Sequence, residues 1–434
     1  MRSHRRQSIF WSEGAQIAVP SGERRSGSAE SGQASRVQLL GEASQEAQTR
    51  ANRMKNVLGI VGSGMIGRDP FDPGCWSGSG FSLFKTLRDR GRLHRAFGVE
   101  VPHPLRGLLM AMRFHPDRRL WSERFNLYPA YYRRLTRQIE LGLRSDDFGG
   151  DNVILQLGGI YNAHEAAHRA IPTYSYHDAN VSGLMKSPYF RKRNLAHARA
   201  AFDYEKSVYQ DISKLFVVSE YWRRSFIDDF GVAADRVVKL GIGVNVDVPP
   251  DLDKDYSTKN VVFVGVDFRR KGGDGLVSAF QLLVARHPTA RLHIVGPREV
   301  PSILKESGHR NVVYHGFLSR DHPIQRNKLL GLLQEGTLLV LPSLYEPFGI
   351  APLEAMLYKM PVIATNHWSF PDFVRPDVGL LIDAPTDRVE IFEKMDVFLR
   401  DPDLSKRAGE AGRRLVMSEY LWDHVVDRLL HEIG

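Results

Sequence analysis

Short apolar runs alternate with stretches of helical period from Lys55 to the end of the chain. Val57–Val61, Val153–Leu157, Thr173–Tyr176 and Leu215–Val218 are bounded by Gly, Pro or Ser and predict buried strands. Between them, Phe81–Arg90, Ala163–Ala170, Leu195–Tyr209 and Tyr221–Phe230 predict helices. Segment 241–257, with Pro249 and Pro250 among acidic residues, has linker composition. The series then restarts with strands Val261–Val264, Arg291–Val295, Val312–Tyr314, Leu338–Leu341 and Val362–Ala364 and helices over 274–286 and 350–359. Strand–helix alternation twice over predicts two doubly wound, Rossmann-like α/β domains facing a central cleft. The boundaries read as a tail over 1–54, an N-terminal domain over 55–247 and a C-terminal domain over 248–416. A last helix over 417–434, apolar at helical spacing from Leu421 to Ile433, either stays on the second domain or crosses back to the first. No repeat of solenoid length is present.

Residues 1–54 are rich in Ser, Gly, Arg and Gln, lack a sustained period, and cannot bury enough apolar surface to offset the entropy of ordering. Arg and Ser suit a transit peptide, but five acidic residues argue against one; a start assigned upstream of the native one at Met54 fits at least as well. The 434 residues, 42% apolar and 25% charged, have the composition of a soluble globular protein. No run of about 18 apolar residues occurs, so no transmembrane span is expected. A single cysteine, Cys75, excludes an internal disulfide and multi-cysteine zinc sites and fits a reducing, cytoplasmic setting. Net charge is +3 for 1–54, +8 for 55–247 and −2 for 248–434, so the N-terminal half is the part expected to meet an anionic partner.

Two motifs match well-known sites and fail on context. Gly62-Ser63-Gly64-Met65-Ile66-Gly67 has dinucleotide-loop spacing, but Pro70 and Pro73 interrupt the helix that should open there, and no acidic residue is read at the end of a second strand. His164-Glu165-Ala166-Ala167-His168 has zinc-peptidase spacing, but Pro172 ends that helix before a third ligand can follow, and a solvated helix face is the plainer reading.

The stretch 338–365 carries more chemistry. A strand ends at Pro342-Ser343, a loop carries Glu346, and a helix begins near Gly349 with Glu354 eight positions beyond Glu346. The first amides of that helix, at Phe348, Gly349 and Ile350, form an anion site, and Glu354 lies about 7 Å further along the axis. A phosphate at the helix start then leaves one carboxylate for a sugar and the other for a ribose, because carboxylates accept hydrogen bonds from vicinal hydroxyls. Upstream, a strand ends at Gly265, and Arg269, Arg270 and Lys271 precede Gly272-Gly273 and a helix, where cations can neutralise a diphosphate. Arg270 and Lys271 stand in a loop, so neutralising either is expected to cost activity and leave folding little affected.

In this order, Gly265, Arg270-Lys271-Gly272, Ile294-Val295-Gly296, Gly316-Phe317, Pro342-Ser343, Glu346-Pro347-Phe348-Gly349, Glu354-Ala355 and Pro361 to Thr365 resemble the C-terminal domain of the group 1 (family 4) retaining glycosyltransferases, whose fold is GT-B. The N-terminal half is similar in the loop Trp76-Ser77-Gly78-Ser79-Gly80, in Tyr176-His177-Asp178 and over 214–224. The resemblance implies a nucleotide diphosphate-sugar donor, with no cofactor and no metal. It gives Arg270 and Lys271 the diphosphate, Glu354 the ribose, Glu346 with Phe348, Gly349 and Ile350 the sugar and distal phosphate, and Gly316 and Phe317 the base, beside Gly265. It places Ser77, Gly78, Ser79, Gly80 and Asp178 by acceptor and phosphate, and His177 near the transferring sugar, with a satisfied structural histidine as the second reading. Transfer in this family is thought to proceed by front-face attack, with the leaving diphosphate taking the acceptor proton. Two departures bear on donor or acceptor choice. Val266 stands where most members have Arg, so Arg269 or Arg270 must supply that charge; and Asn366–Asp372 replaces a Gly-Gly loop, bringing in Trp368 and Phe370, with Asp372 in place of a Glu.

The acceptor is left open between a glycan, a lipid-linked molecule and a small molecule. Arginines at 106, 113, 118, 119, 124, 133, 134 and 137 interleave with Leu108, Leu109, Phe114, Trp121, Phe125, Tyr131 and Tyr132, which suits peripheral contact with the inner face of an anionic membrane as well as a plain solvated face. The alternatives are a nucleotide-sugar epimerase or hydrolase on the same fold, the zinc peptidase, and a nucleic-acid-binding protein; in the last, Glu346 and Glu354 would repel phosphates, so no nucleic acid is expected.

Overall fold

The apolar runs become the inner strands of two parallel sheets. The computed structural model describes residues 56–62, 69–144, 152–306 and 311–434. The 1–54 tail and Ser63 to Gly67 of the glycine motif lie outside the described residues.

The first sheet is built from β1 (Asn56–Gly62), β2 (Leu93–Val99), β3 (Asn152–Leu157), β4 (Thr173–His177), β5 (Lys214–Val217) and β6 (Val237–Lys239), in the order β2-β1-β3-β4-β5-β6. Its helices are α1 (Ser79–Asp89), α2 (His103–Ala111), α3 (Arg118–Asn126), α4 (Pro129–Leu143), α5 (Ala163–Ala166), α6 (Val181–Lys186), α7 (Leu195–Asp211) and α8 (Glu220–Asp228). The second sheet holds β7 (Asn260–Val264), β8 (Arg291–Val295), β9 (Val312–Gly316), β10 (Leu338–Leu341), β11 (Val362–Thr365) and β12 (Gly379–Ile382), in the order β12-β11-β10-β7-β8-β9. With it run α9 (Gly273–Arg286), α10 (Ser302–Glu306), α11 (Pro323–Glu335), α12 (Ile350–Leu357), α13 (Arg388–Arg400) and α14 (Pro402–Glu419), and the chain ends in α15 (Trp422–Ile433).

Every strand pair is parallel. Parallel sheets are covered on both faces, which is why Leu338 to Leu341 are all fully buried and read as an unbroken apolar run. In each sheet the strand order reverses once, between β1 and β3 and between β7 and β10. Ligands of open α/β sheets bind beyond the carboxyl ends of the strands at such a point. For the second sheet this lies at Gly265 and at Pro342-Ser343.

Helix α15 runs on the first domain. Lys214 Nζ meets Glu432 Oε2 at 2.7 Å, Arg90 Nη2 meets Asp423 at 2.8 Å, and Arg428 Nε donates to the Leu240 carbonyl at 2.9 Å. Its buried face is Val425, Val426, Leu429, Leu430 and Ile433.

Two expectations are corrected. Helix α5 stops at Ala166, and His168 and Arg169 turn left-handed (φ 51° and 60°). His164 and His168 therefore share no helical face; His164 Nδ1 instead lies 3.1 Å from the Ile171 carbonyl. Among the described residues no three His, Cys, Asp or Glu side chains are grouped to hold a metal. A second strand, β2, does follow α1 and ends just before Glu100, but α1 opens only at Ser79, so the glycine motif does not lead into it. The described helices include none long and apolar enough to cross a membrane.

Candidate active site

Backbone crossings that only glycine allows bring the second domain's cations over its carboxylate. After β7 the chain turns at Gly272 (φ 76°), where any side chain would collide with the Pro342 carbonyl at the end of β10. Leu344 N–H then donates to the Arg270 carbonyl at 2.9 Å, locking the two loops together. A side chain at Gly265 would occupy the space taken by the Lys271 stem. The result is that Lys271 Nζ lies 2.7 Å from Glu346 Oε2, with Arg270 Nη1 3.6 Å from the same oxygen and bonded to the Tyr345 carbonyl at 2.7 Å. Arg269 points outward to Asp274, so of the two arginines only Arg270 faces the crevice.

Helix α12 starts from Gly349 (φ 87°) with no side-chain cap, so its first amides have no side-chain partner. Phe348 is buried against Phe373 at 5.3 Å, which leaves only its backbone to face a ligand. Glu354, 1% exposed, is the surprise: its two oxygens each accept from the Arg320 guanidinium at 2.6 Å, and the carboxylate raises the arginine pKa in turn. Arg320 had no local signal, because its partner lies 34 residues away. Near it, Gly316 (φ 70°) ends β9 and Phe317 is exposed, with the Arg298 guanidinium 4.2 Å above its ring.

In the first domain Trp76, Ser77 and Gly78 are successive residues at positive φ (47°, 57° and 95°) just before α1. For Trp and Ser this conformation costs roughly 1–2 kcal/mol each, strain of the kind that collects at ligand sites. The turn packs Trp76 edge-on against Tyr176 at 5.1 Å and sends its indole N–H to Asp178 Oδ2 at 2.8 Å. Burial raises the Asp178 pKa, the Trp76 bond opposes, and the Glu346 carboxylate across the cleft raises it further. Asn245 ties the turn to the linker: its Nδ2 donates to the Ser77 carbonyl (3.2 Å) and Ser79 Oγ (3.1 Å), while Trp422 donates to its Oδ1 (3.0 Å). Gly80 lies against the Cys75 sulfur, whose thiol burial pushes up to about 12, an unreactive group.

His177 is buried at the end of β4, with its Nδ1 left without a hydrogen-bond partner. It is enclosed by Tyr209 (5.3 Å) and Phe226 (4.9 Å) from α7 and α8, and its Nε2 meets Ser175 Oγ at 2.7 Å. Burial pushes its pKa down to about 3, so it is a neutral core histidine, with Asp178 the residue of that strand end facing the cleft.

Asp372, expected in place of a site glutamate, instead joins the domains. Its Oδ2 accepts from the Glu220 N–H of α8 at 2.9 Å and meets Lys239 Nζ at 3.1 Å. Ser369 Oγ lies 2.8 Å from Ser219 Oγ, and Trp368 sets its ring against Tyr221 (5.2 Å) and Tyr345 (4.8 Å). Asp372→Ala is expected to lower stability by about 1–2 kcal/mol and to speed amide exchange at Glu220, since a helix-start amide and a cation both lose their acceptor. An unchanged urea midpoint would remove Asp372 from this junction.

The fold and crevice define a two-domain GT-B protein. Residues 248–415 match the family model described as glycosyl transferases group 1. The α-maltose-1-phosphate synthase of Mycolicibacterium smegmatis is 29% identical over 216 residues, 45% of this chain and 55% of the relative. A GDP-mannose-dependent monoacylated α-(1-6)-phosphatidylinositol monomannoside mannosyltransferase of Corynebacterium glutamicum is 28% identical over 239 residues, 50% of this chain and 61% of the relative. These alignments span only about half the length of the curated relatives. A sucrose-phosphate synthase structure from Thermosynechococcus elongatus superposes with a TM-score of 0.64, covering 87% of this chain and 99% of that one at 15% identity, a likeness of fold.

Proposed function

We propose that the protein is a retaining glycosyltransferase that moves a sugar from a nucleotide diphosphate donor to a carbohydrate or lipid-linked acceptor, without metal or cofactor. The observation that carries this is the convergence of Arg270 and Lys271 on Glu346 beside the uncapped start of α12, with Glu354 on the next turns. Transfer breaks the bond from the sugar C1 to the diphosphate and forms one to an acceptor oxygen, and the acceptor proton passes to the departing phosphate. Negative charge grows on that phosphate, where two cations and a helix start stabilise it. Phe317 under Arg298 offers a flat face for the base, and Glu354 an acceptor for ribose hydroxyls. The named relatives support sugar transfer, one of them from GDP-mannose.

Thermal-shift titration with UDP-, GDP- and ADP-sugars is expected to single out one donor, and turnover of that donor to give nucleoside diphosphate only when acceptor is added. The product anomer then reads retention. Free sugar or an isomerised donor appearing without acceptor would instead favour the hydrolase or epimerase reading.

A further inference from the structure

One corner of the first domain, made by α2, α3 and the turn Lys192–Asn194, exposes two kinds of side chain together. Leu108, Met112 and Phe114 are 59%, 62% and 63% exposed. One such residue needs no explanation, but three within seven positions do. Leu108, in α2, and Met112, the residue that caps its end in a helical conformation, lie four apart on one face, while Leu109 turns inward to the core. Phe114 is propped on Trp121 of α3 at 5.4 Å, and that indole is fixed by donating to the Met110 carbonyl at 2.8 Å. The apolar projection therefore sits on a fixed base.

Cations flank it. Arg118 and Arg119 are exposed in the first turn of α3, where they oppose that helix's own dipole, so no gain in helix stability accounts for them. The segment 189–199 carries four basic residues and no acidic one, and Lys192, Arg193 and Arg199 are exposed. Asn194 fastens this segment to α3, donating to the Leu120 carbonyl (3.4 Å) and to Glu123 (2.9 Å) and accepting from Arg124 Nε (2.9 Å). Arg124 and Arg113, the latter 3.9 Å over the Tyr128 ring, are thus engaged within the fold.

We propose that this corner docks on an anionic lipid bilayer, with Leu108, Met112 and Phe114 entering the interface and Arg118, Arg119, Lys192 and Arg193 resting on the headgroups. A nucleic acid or other dissolved polyanion would satisfy the cations and leave the three apolar side chains in water; a bilayer takes both. Because the sheet is parallel and α2 follows the carboxyl end of β2, the corner lies toward the same end of the sheet as Asp178. Docking would present that end to the membrane. The inference does not depend on the donor assignment.

Sedimentation of the full chain with vesicles of phosphatidylcholine, alone and with phosphatidylglycerol admixed, tests it. Binding is expected only with the anionic lipid and should fall as salt rises. Each basic residue at such a surface is worth about a fivefold change in partitioning, so replacing Arg118, Arg119 and Lys192 by Gln should weaken it about a hundredfold. Leu108→Ser/Met112→Ser/Phe114→Ser should also weaken it, while the melting temperature and its shift with nucleoside diphosphate stay unchanged. Phe114→Ser alone keeps the test open should the triple variant misfold. Absence of binding to anionic vesicles, or binding indifferent to the serine variants, would overturn the proposal, the second outcome marking a patch for a soluble polyanion.

Discussion

Lys271→Met is expected to lower kcat/KM for the proposed transfer by about a hundred- to a thousandfold, the scale of losing one group that stabilises a leaving anion. It is also expected to lower stability, contrary to what a loop position suggests. Lys271 Nζ is the nearest cation to Glu346, at 2.7 Å, and both side chains are largely buried. Removing one partner of such a pair leaves a carboxylate taken from water without compensation, at a cost of about 3 kcal/mol. Arg270, at 3.6 Å, offsets part of that. Adding Glu346→Gln to Lys271→Met removes the stranded charge, so the double variant is expected to regain most of the stability and none of the activity. Urea denaturation and initial rates on the two single variants and the double separate the roles. Full activity in Lys271→Met, at whatever stability, would take the diphosphate assignment away from this lysine.

What the sequence made legible follows from how far apart the interacting residues lie. The inner strands were readable because burial on both faces writes them as continuous apolar runs, as in Leu338 to Leu341. The unread strands, β2, β6 and β12, are all sheet edges. β2 exposes His94 and Arg95, and β6 is three residues long, so neither carries that signature. Arg270, Lys271, Glu346 and Glu354 were readable because glycine turns and a helix start fix them locally. The partners that define their chemistry were not. Arg320 reaches Glu354 across 34 residues, Trp76 reaches Asp178 across 102, and Asp372 reaches Glu220 across 152. No period or spacing records such pairs; only the topology that brings two loops to one sheet end does. His177 shows the converse. Its local setting, Tyr-His-Asp at a strand end, suits a ligand contact, yet strand alternation turns its ring inward and Asp178 outward.

Arg320→Ala is expected to destabilise the free protein while leaving nucleotide binding intact or tighter. Glu354 is 1% exposed, and both its oxygens are taken by the Arg320 guanidinium at 2.6 Å. Ribose hydroxyls seeking the same oxygens must compete with that fork, so part of the binding free energy goes into displacing it. Without the arginine, a buried carboxylate stands unpaired; the loss is about 3 kcal/mol, toward the lower end for breaking buried pairs because Arg320 itself is partly open to water. A nucleoside diphosphate then supplies the missing donors, and its stabilisation of the variant, growing as RT ln(1 + [L]/Kd), should equal or exceed that of the native protein. Glu354→Gln should behave oppositely. It keeps the shape, relieves the charge and removes the strong acceptor, so the same nucleotide should bind about tenfold more weakly, a loss of roughly 1.4 kcal/mol. Calorimetric titration of both variants with UDP, GDP and ADP decides between two roles for Arg320. Equal weakening in Arg320→Ala and Glu354→Gln would make the arginine a part of the nucleotide site; weakening in Glu354→Gln alone makes it the group that holds the ribose carboxylate until a donor arrives.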